Sequence, residues 1–127
     1  MLDTDTVSLS WRGEGEVIAR IVAHRPSELC VSAVTIAELR FGADKRKSSK
    51  LHAKIDTLIV TMDVVPFDEV CARHFGLITS TLAREGTPIG DLDVMIAASA
   101  IAVQATLITR NVQHFKRVRD LRLENWY

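Results

Sequence analysis

The sequence predicts an α/β domain organised around a mainly parallel sheet, and three features carry that prediction. Short runs that read as strands recur at Met1 to Thr4, Leu29 to Val31, Val64 to Pro66 and Ala105 to Ile108, with a last edge candidate at Arg122 to Asn125. Longer stretches with helical spacing separate them, the alternation of a sheet covered by helices. The segment after Asp93, from Val94 to Val103, is apolar on every side and built of small residues, as a helix enclosed on all sides must be.

The elements follow in chain order. Gly15 to His24 reads as an amphipathic helix with Val17, Ile18, Ile21 and Val22 turned inward, and Pro26 ends it. Ser32 and Thr35 are both candidate caps for a helix that runs to about Gly42. A further helix spans about Ser49 to Val60. Phe67, Val70, Cys71, Phe75, Ile78 and Leu82 recur at three- and four-residue spacing and make Asp68 to Arg84 a helix, broken by Gly86 and Pro88. Asp91 to Val103 is the buried helix, with Asp91 as its cap. Asn111 to Arg117 is a short helical turn.

With 127 residues, no repeat and no linker, the chain is one domain, residues 1–127. No stretch approaches the roughly 18–20 uncharged apolar residues of a membrane span, and no basic-then-apolar leader opens it. Cys30 and Cys71 lack any metal-type spacing and read as small buried hydrophobes of a reducing, cytoplasmic protein. Sixteen basic residues balance sixteen acidic ones, which argues against tight, non-specific duplex binding through bulk charge. The local exception is Arg40, Lys45, Arg46, Lys47, Lys50 and Lys54, opposed only by Asp44. This segment is either a solvated helical face or a place where a phosphate backbone rests.

Three acids stand where a plain core would not put them. Asp3 ends the first strand. Glu38 lies in a helix with Val34 one turn before and Phe41 one turn after. Asp93 opens the buried helix in line with Ile96, Ala97 and Ala100. A carboxylate in such surroundings loses hydration and needs compensation. A divalent cation with oxygen ligands would supply it, and would also polarise a phosphoryl group and a water. Each acid has a plainer role open to it. Asp3 would cap the following turn. Glu38 would close a capping box if Thr35 were the cap, a role that disappears if Ser32 is the cap. Asp93 would complement the helix dipole.

As a set and in this order, these residues resemble the PIN-domain family, specifically its VapC branch. Leu2-Asp3-Thr4-Asp5-Thr6 is similar to that family's opening strand. Ser32 to Gly42 resembles its S-x-x-T-x-x-E-L-x-x-G helix, and Pro88 to Ala98 its I-G-x-x-D-x-x-I-A-A helix. Leu107 to Asn111 with His114 and Phe115 resembles its T-R-N segment, and Leu121 to Trp126 its closing L-x-x-E-x-W. The resemblance spans essentially the whole chain. It implies a three-layer α/β/α fold and a Mg²⁺-dependent endoribonuclease, with Mn²⁺ able to substitute, of bacterial or archaeal origin. It implies that Asp3, Glu38 and Asp93 are catalytic, that Asp3 and Asp93 ligate the metal, and that Glu38 does so through water or positions the attacking water. Thr4 supports the site by hydrogen bonding, and Asp5 lies near it without ligating. Arg40 and Arg110 are candidates for flanking RNA phosphates. The implied partners are RNA, a VapB-like antitoxin, and a second copy in a homodimer whose antitoxin-bound assembly binds operator DNA.

One departure concerns the fourth acid that many members carry after the last parallel strand. Here Asn111 and His114 stand in its place; His114 would contact phosphate or shuttle a proton, or be a surface histidine preceding the core residue Phe115. Two rival readings follow. A PIN-like module that binds RNA or protein without cutting would explain the missing acid. Asp3-Thr4-Asp5-Thr6-Val7 also suggests the D-x-D opening of a haloacid-dehalogenase-type phosphatase, although Asp91 and Asp93 then fall at a helix start, where that family needs them after a strand.

Overall fold

The computed structural model describes all 127 residues, Met1–Tyr127. Seven helices surround a narrow sheet. They are α1 (Thr4–Arg12), α2 (Val17–Val22), α3 (Ala33–Lys45), α4 (Ser49–Thr61), α5 (Glu69–Glu85), α6 (Asp91–Ala102) and α7 (Val112–Phe115). The strands are β1 (Cys30–Ser32), β2 (Asp63–Val65), β3 (Leu107–Ile108) and β4 (Leu123–Glu124). β1 pairs with β2 and β3 with β4, both parallel. Leu2 joins the two pairs through parallel bridges to Val31 and Ile108. The resulting order is β2, β1, the Leu2 segment, β3, β4. Every pairing is parallel, as the alternation of strands and helices requires.

Successive strand residues point to opposite faces, and the core divides accordingly. Met1 and Leu107 join Ile78, Leu82, Val94, Ala97 and Phe115 on the side of α5 and α6. Leu2, Val31 and Ile108 join Val7, Leu9, Val17, Leu39 and Ile55 on the side of α1 to α4. Two separate cores divided by one sheet are the three layers.

Three expectations need correction. The opening strand is a single bridging residue, because Asp3 caps a helix that starts at Thr4. Helix α1 was hidden by its sequence. Val7, Leu9 and Trp11 alternate at strand-like spacing, and Thr and Ser fill the other positions, residues with weak helix preference. The cap decides the outcome: Asp3 is extended at φ −78°, and its carboxylate accepts the Thr6 N–H at 2.8 Å. In α2 only Val17 is fully buried; Ile18 and Val22 face outward. A six-residue helix can press only its first turn on the core. Phe41 is likewise exposed, so the apolar stripe carrying Glu38 is buried at Val34 but open one turn later.

Helix α6 is enclosed as its composition predicts, with Ala97, Ala98 and Ala100 fully inaccessible, and it packs most extensively on α5. Its first turn carries Asp93, so close packing of the helix holds that acid in place. Ala97→Leu is expected to destabilise the protein by about 1–3 kcal/mol through overpacking. Leu92→Ala, at an exposed position of the same helix, is expected to stay within about 0.5 kcal/mol. Urea denaturation of both variants checks the contrast.

Candidate active site

The carboxyl ends of the strands gather the polar residues, as open parallel sheets arrange them. Asp3 follows Leu2, the central position of the sheet. Helix α3 leaves β1 through Ser32, whose hydroxyl accepts the Thr35 N–H at 2.9 Å. Ser32 is therefore the cap, and Glu38 falls in the second turn, free of a capping-box role. Its carboxylate is held by Thr4 instead, whose hydroxyl donates to Glu38 Oε1 at 2.6 Å.

Asp3 is 5% exposed. It accepts from the Thr6 backbone N–H at 2.8 Å, and the Thr109 hydroxyl beside it favours its charged form. Thr109 is fully buried at the end of β3, and its oxygen also accepts the Asn111 N–H at 3.0 Å. One hydroxyl thus ties Asp3 to the segment carrying Asn111. Thr6 donates its own hydroxyl to the Ile108 carbonyl at 3.0 Å, fixing α1 to the same strand end.

Asp93 stands in the first turn of α6, where negative charge is favoured by the helix N-terminus. The cap is Gly90, with Asp91 exposed as the first helical residue, so the capping role expected of Asp91 is corrected. Asp93 Oδ2 lies 2.9 Å from His114 Nε2. An ionised carboxylate only accepts, so the imidazole donates through Nε2. His114 is half-buried, edge-on to Phe115. It is neither a free surface histidine nor a wall of the central cavity.

That cavity, of about 360 Å³, is lined by Asp3, Thr4, Asp5, Ser8, Glu38, Asp93, Ile96, Asn111 and Phe115. Burial raises the Asp3 pKa above the ordinary carboxylate range, against the pull of its hydrogen bonds to Thr109 and Thr6. Burial likewise raises Glu38, partly offset by the Thr4 hydrogen bond and reinforced by the charges of Asp93 and Asp3. Neither acid has a lysine or arginine within ion-pairing distance.

The three carboxylates share this cavity, but they do not close into a ready ligand set: no three His, Cys, Asp or Glu side chains converge as the ligands of one ion. Each acid meets a protein donor of its own: Thr6 N–H for Asp3, Thr4 for Glu38 and His114 for Asp93. The donors nevertheless fit an oxygen-preferring divalent ion that keeps waters between itself and part of its site. Carboxylates and the Asn111 amide line the space, its negative charge lacks a basic partner, and neither sulfur nor imidazole faces it.

Of the two arginines expected to face RNA, Arg40 pairs with Asp56 at 2.6 Å and also contacts His52. Arg110 lies over the Tyr127 ring, 4.1 Å from its centroid. Neither lines the cavity. Thr6, Ser8 and Thr109 are polar residues of the site that the sequence did not single out. For Thr109 a signal existed, since a threonine directly ending an apolar strand places its hydroxyl beside Asp3.

Comparison with known proteins accords with this geometry. The PIN domain family model matches residues 1–121. The tRNA(fMet)-specific endonuclease VapC of Salmonella typhimurium is 34% identical over 127 residues, covering 99% of this chain and 96% of that protein. The crystal structure of VapBC2 from Rickettsia felis bound to a DNA fragment from its promoter superposes with a TM-score of 0.92 at 29% identity, covering 100% of this chain and 98% of that one. DNA-bound VapBC from Salmonella typhimurium gives 0.91 at 31% identity, with 100% and 97% covered.

The raised pKa values have a consequence for stability. Between the ordinary carboxylate value and the raised one, the folded state holds more protons than the unfolded state, so stability falls as pH rises through that window. Above the raised value the penalty is fully present. Asp3→Asn removes the charge and keeps a capping oxygen, so in chelator at pH 7 it is expected to melt several degrees above the parent. The gap is expected to close below about pH 4. Thermal melts across pH check both statements.

Proposed function

Because the chain belongs to the PIN-domain family, with VapC ribonucleases among its full-length relatives, we propose that it is the ribonuclease toxin of a toxin–antitoxin pair and cuts RNA by metal-assisted hydrolysis. The observation that carries the mechanism is the pair of carboxylates, buried Asp3 and half-buried Glu38, facing a shared cavity with no basic partner. The phosphatase reading falls on two grounds: the family match, and the position of Asp91 and Asp93 inside a helix.

In this reading Asp3 and Asp93 would hold a Mg²⁺-type ion, which Mn²⁺ could replace, with Glu38 beside it as a ligand, directly or through water. The ion, when bound, supplies charge neutralisation at the scissile phosphate and lowers the cost of deprotonating water. Glu38, aimed by Thr4, accepts the proton of the attacking water. The water oxygen bonds to phosphorus, the bond to the 3′ oxygen breaks, the leaving 3′ oxygen takes a proton from solvent water, and the products carry a 3′-hydroxyl and a 5′-phosphate. Asn111 presents its amide to a water or to the substrate. His114 orients Asp93 and partly offsets its charge.

The partner is a VapB-like antitoxin covering the site. The similar solved complexes include VapBC2 from Rickettsia felis on a promoter DNA fragment and DNA-bound VapBC from Salmonella typhimurium, and a toxin homodimer reading its operator through the antitoxin is proposed here. No helix is long and apolar enough to cross a membrane, and the place of action is the cytoplasm, where the RNA is. The tRNA(fMet) for which the Salmonella relative is named is the first substrate to test. The non-cutting module is the second reading, favoured by the absence of a carboxylate at Asn111 and His114.

With Mg²⁺ or Mn²⁺ the protein is expected to cleave RNA, and Asp3→Asn and Asp93→Asn to lose at least about 100-fold in rate. Added Mg²⁺ is expected to raise the melting temperature of the parent and leave the two variants nearly unmoved. A parent that cuts no RNA with either metal, or variants that cut equally well, would overturn the proposal. Glu38→Gln is expected to lower kcat by about 10²–10⁴, and Thr4→Val by a smaller factor, since it removes only the hydrogen bond that aims the base; single-turnover kinetics separate the two.

A further inference from the structure

A second groove of about 410 Å³ opens directly beside the acidic cavity and shares Thr4, Ser8 and Glu38 with it. It runs between α1 and the α3–α4 pair, and its character is opposite. Arg12, Arg46 and Lys54 line it, with Glu38 the only acid. Arg12 is engaged by Glu14 at 2.5 Å. Arg46 and Lys54 have no carboxylate within ion-pairing distance. Trp11 forms part of the wall, half-buried against the core, and Lys54 Nζ lies 5.8 Å from its ring centroid.

The floor includes Gly42, in the interior of α3. A glycine there costs about 1 kcal/mol of helix stability relative to alanine. A methyl group on it would come 3.3 Å from Arg46 Nη1, so the glycine leaves room for the arginine beside an open groove. An aromatic ring flanked by unpaired cations, leading from a phosphodiester-cleaving centre, is the chemistry that holds a single nucleic-acid strand: stacking for a base, charge for its phosphates.

We propose that this groove carries the single-stranded RNA on one side of the scissile phosphate. Arg46 and Lys54 hold backbone phosphates, and Trp11 stacks a base. The inference rests on the ribonuclease reading above and adds to it a path for the strand. It also accounts for a net-neutral protein binding a polyanion, since the few cations that matter lie along one track.

The test is fluorescence anisotropy with a labelled, mixed-sequence single-stranded RNA of about 12 nucleotides. The host protein is Asp93→Asn, so that binding is read without cleavage. Arg46→Ala with Lys54→Ala is expected to weaken binding by at least about tenfold and to flatten the log–log salt dependence by about 1.4, two phosphate contacts' worth. Trp11→Leu is expected to cost about tenfold, with Trp11→Phe restoring most of it. Lys50→Ala, an exposed cation of the same basic segment that does not line the groove, is expected to change little. In the cleaving protein the same groove substitutions are expected to raise KM more for the 12-mer than for an RNA of about four nucleotides.

Unchanged affinity and salt slope in the groove variants would overturn the inference, whatever those variants do to the binding of a protein partner. So would an equal loss from Lys50→Ala, which would mean bulk charge alone. Failure of the ribonuclease reading looks different: the parent then cuts nothing, while the anisotropy series still reports whether this groove binds RNA.

Discussion

The site depends on how the first three residues are held. Their backbone is locked between two strands from opposite ends of the chain: the Leu2 N–H donates to the Cys30 carbonyl at 2.9 Å, and the Asp3 N–H to the Ile108 carbonyl at 3.1 Å. Ile108 returns a bond to the Met1 carbonyl at 2.8 Å. Pinned in this way, the chain can turn only at Asp3, and the same carboxylate that caps α1 is delivered to the carboxyl edge of the sheet. Fold and chemistry therefore meet in one side chain. A capping residue is normally solvated; this one is buried, and the difference is a desolvation penalty that hydrogen bonds from Thr6 and Thr109 only partly offset.

The other acids repeat that compromise. Glu38 is tied to Thr4 and Asp93 to His114, so each charge is satisfied locally and none is neutralised. Threonines do most of this work. A threonine hydroxyl donates to a carboxylate, as Thr4 does to Glu38, without adding charge that would compete with a polyanionic substrate. The basic residues lie elsewhere, in ion pairs such as Arg40 with Asp56 or along the neighbouring groove. Negative charge is thus concentrated at the centre and positive charge displaced to its flank.

How much of this could be read from the chain alone follows from where the signals are local. Helix α5 is legible because its seventeen residues repeat an apolar spacing several times, and α6 because its run of small apolar residues is too long for a strand. The strand–helix alternation was enough for a parallel sheet. Helix α1 was not legible, since its Val7, Leu9 and Trp11 alternate as a strand would and its capping carboxylate only makes sense once the neighbouring strands hold Leu2 in place. The three acids could be singled out as misplaced polar groups, but the choice between Ser32 and Thr35 as cap, which decides what Glu38 is free to do, is a one-hydroxyl difference in three dimensions. The contact of His114 with Asp93 and the hydroxyl of Thr109 under Asp3 join residues 21 and 106 positions apart, beyond any local pattern.

That distance has a consequence during synthesis. The central segment of the sheet comes from Leu2, and one of its two flanking strands from residues 107–108, more than a hundred positions later. Until Thr109 and Asn111 have emerged, Asp3 has neither its strand partner nor its hydroxyl donor. At about 5–20 residues per second, a growing chain spends nearly all of its time on the ribosome with its acids scattered. The acidic cavity, whose lining includes Asn111 and Phe115, is therefore complete only late in synthesis.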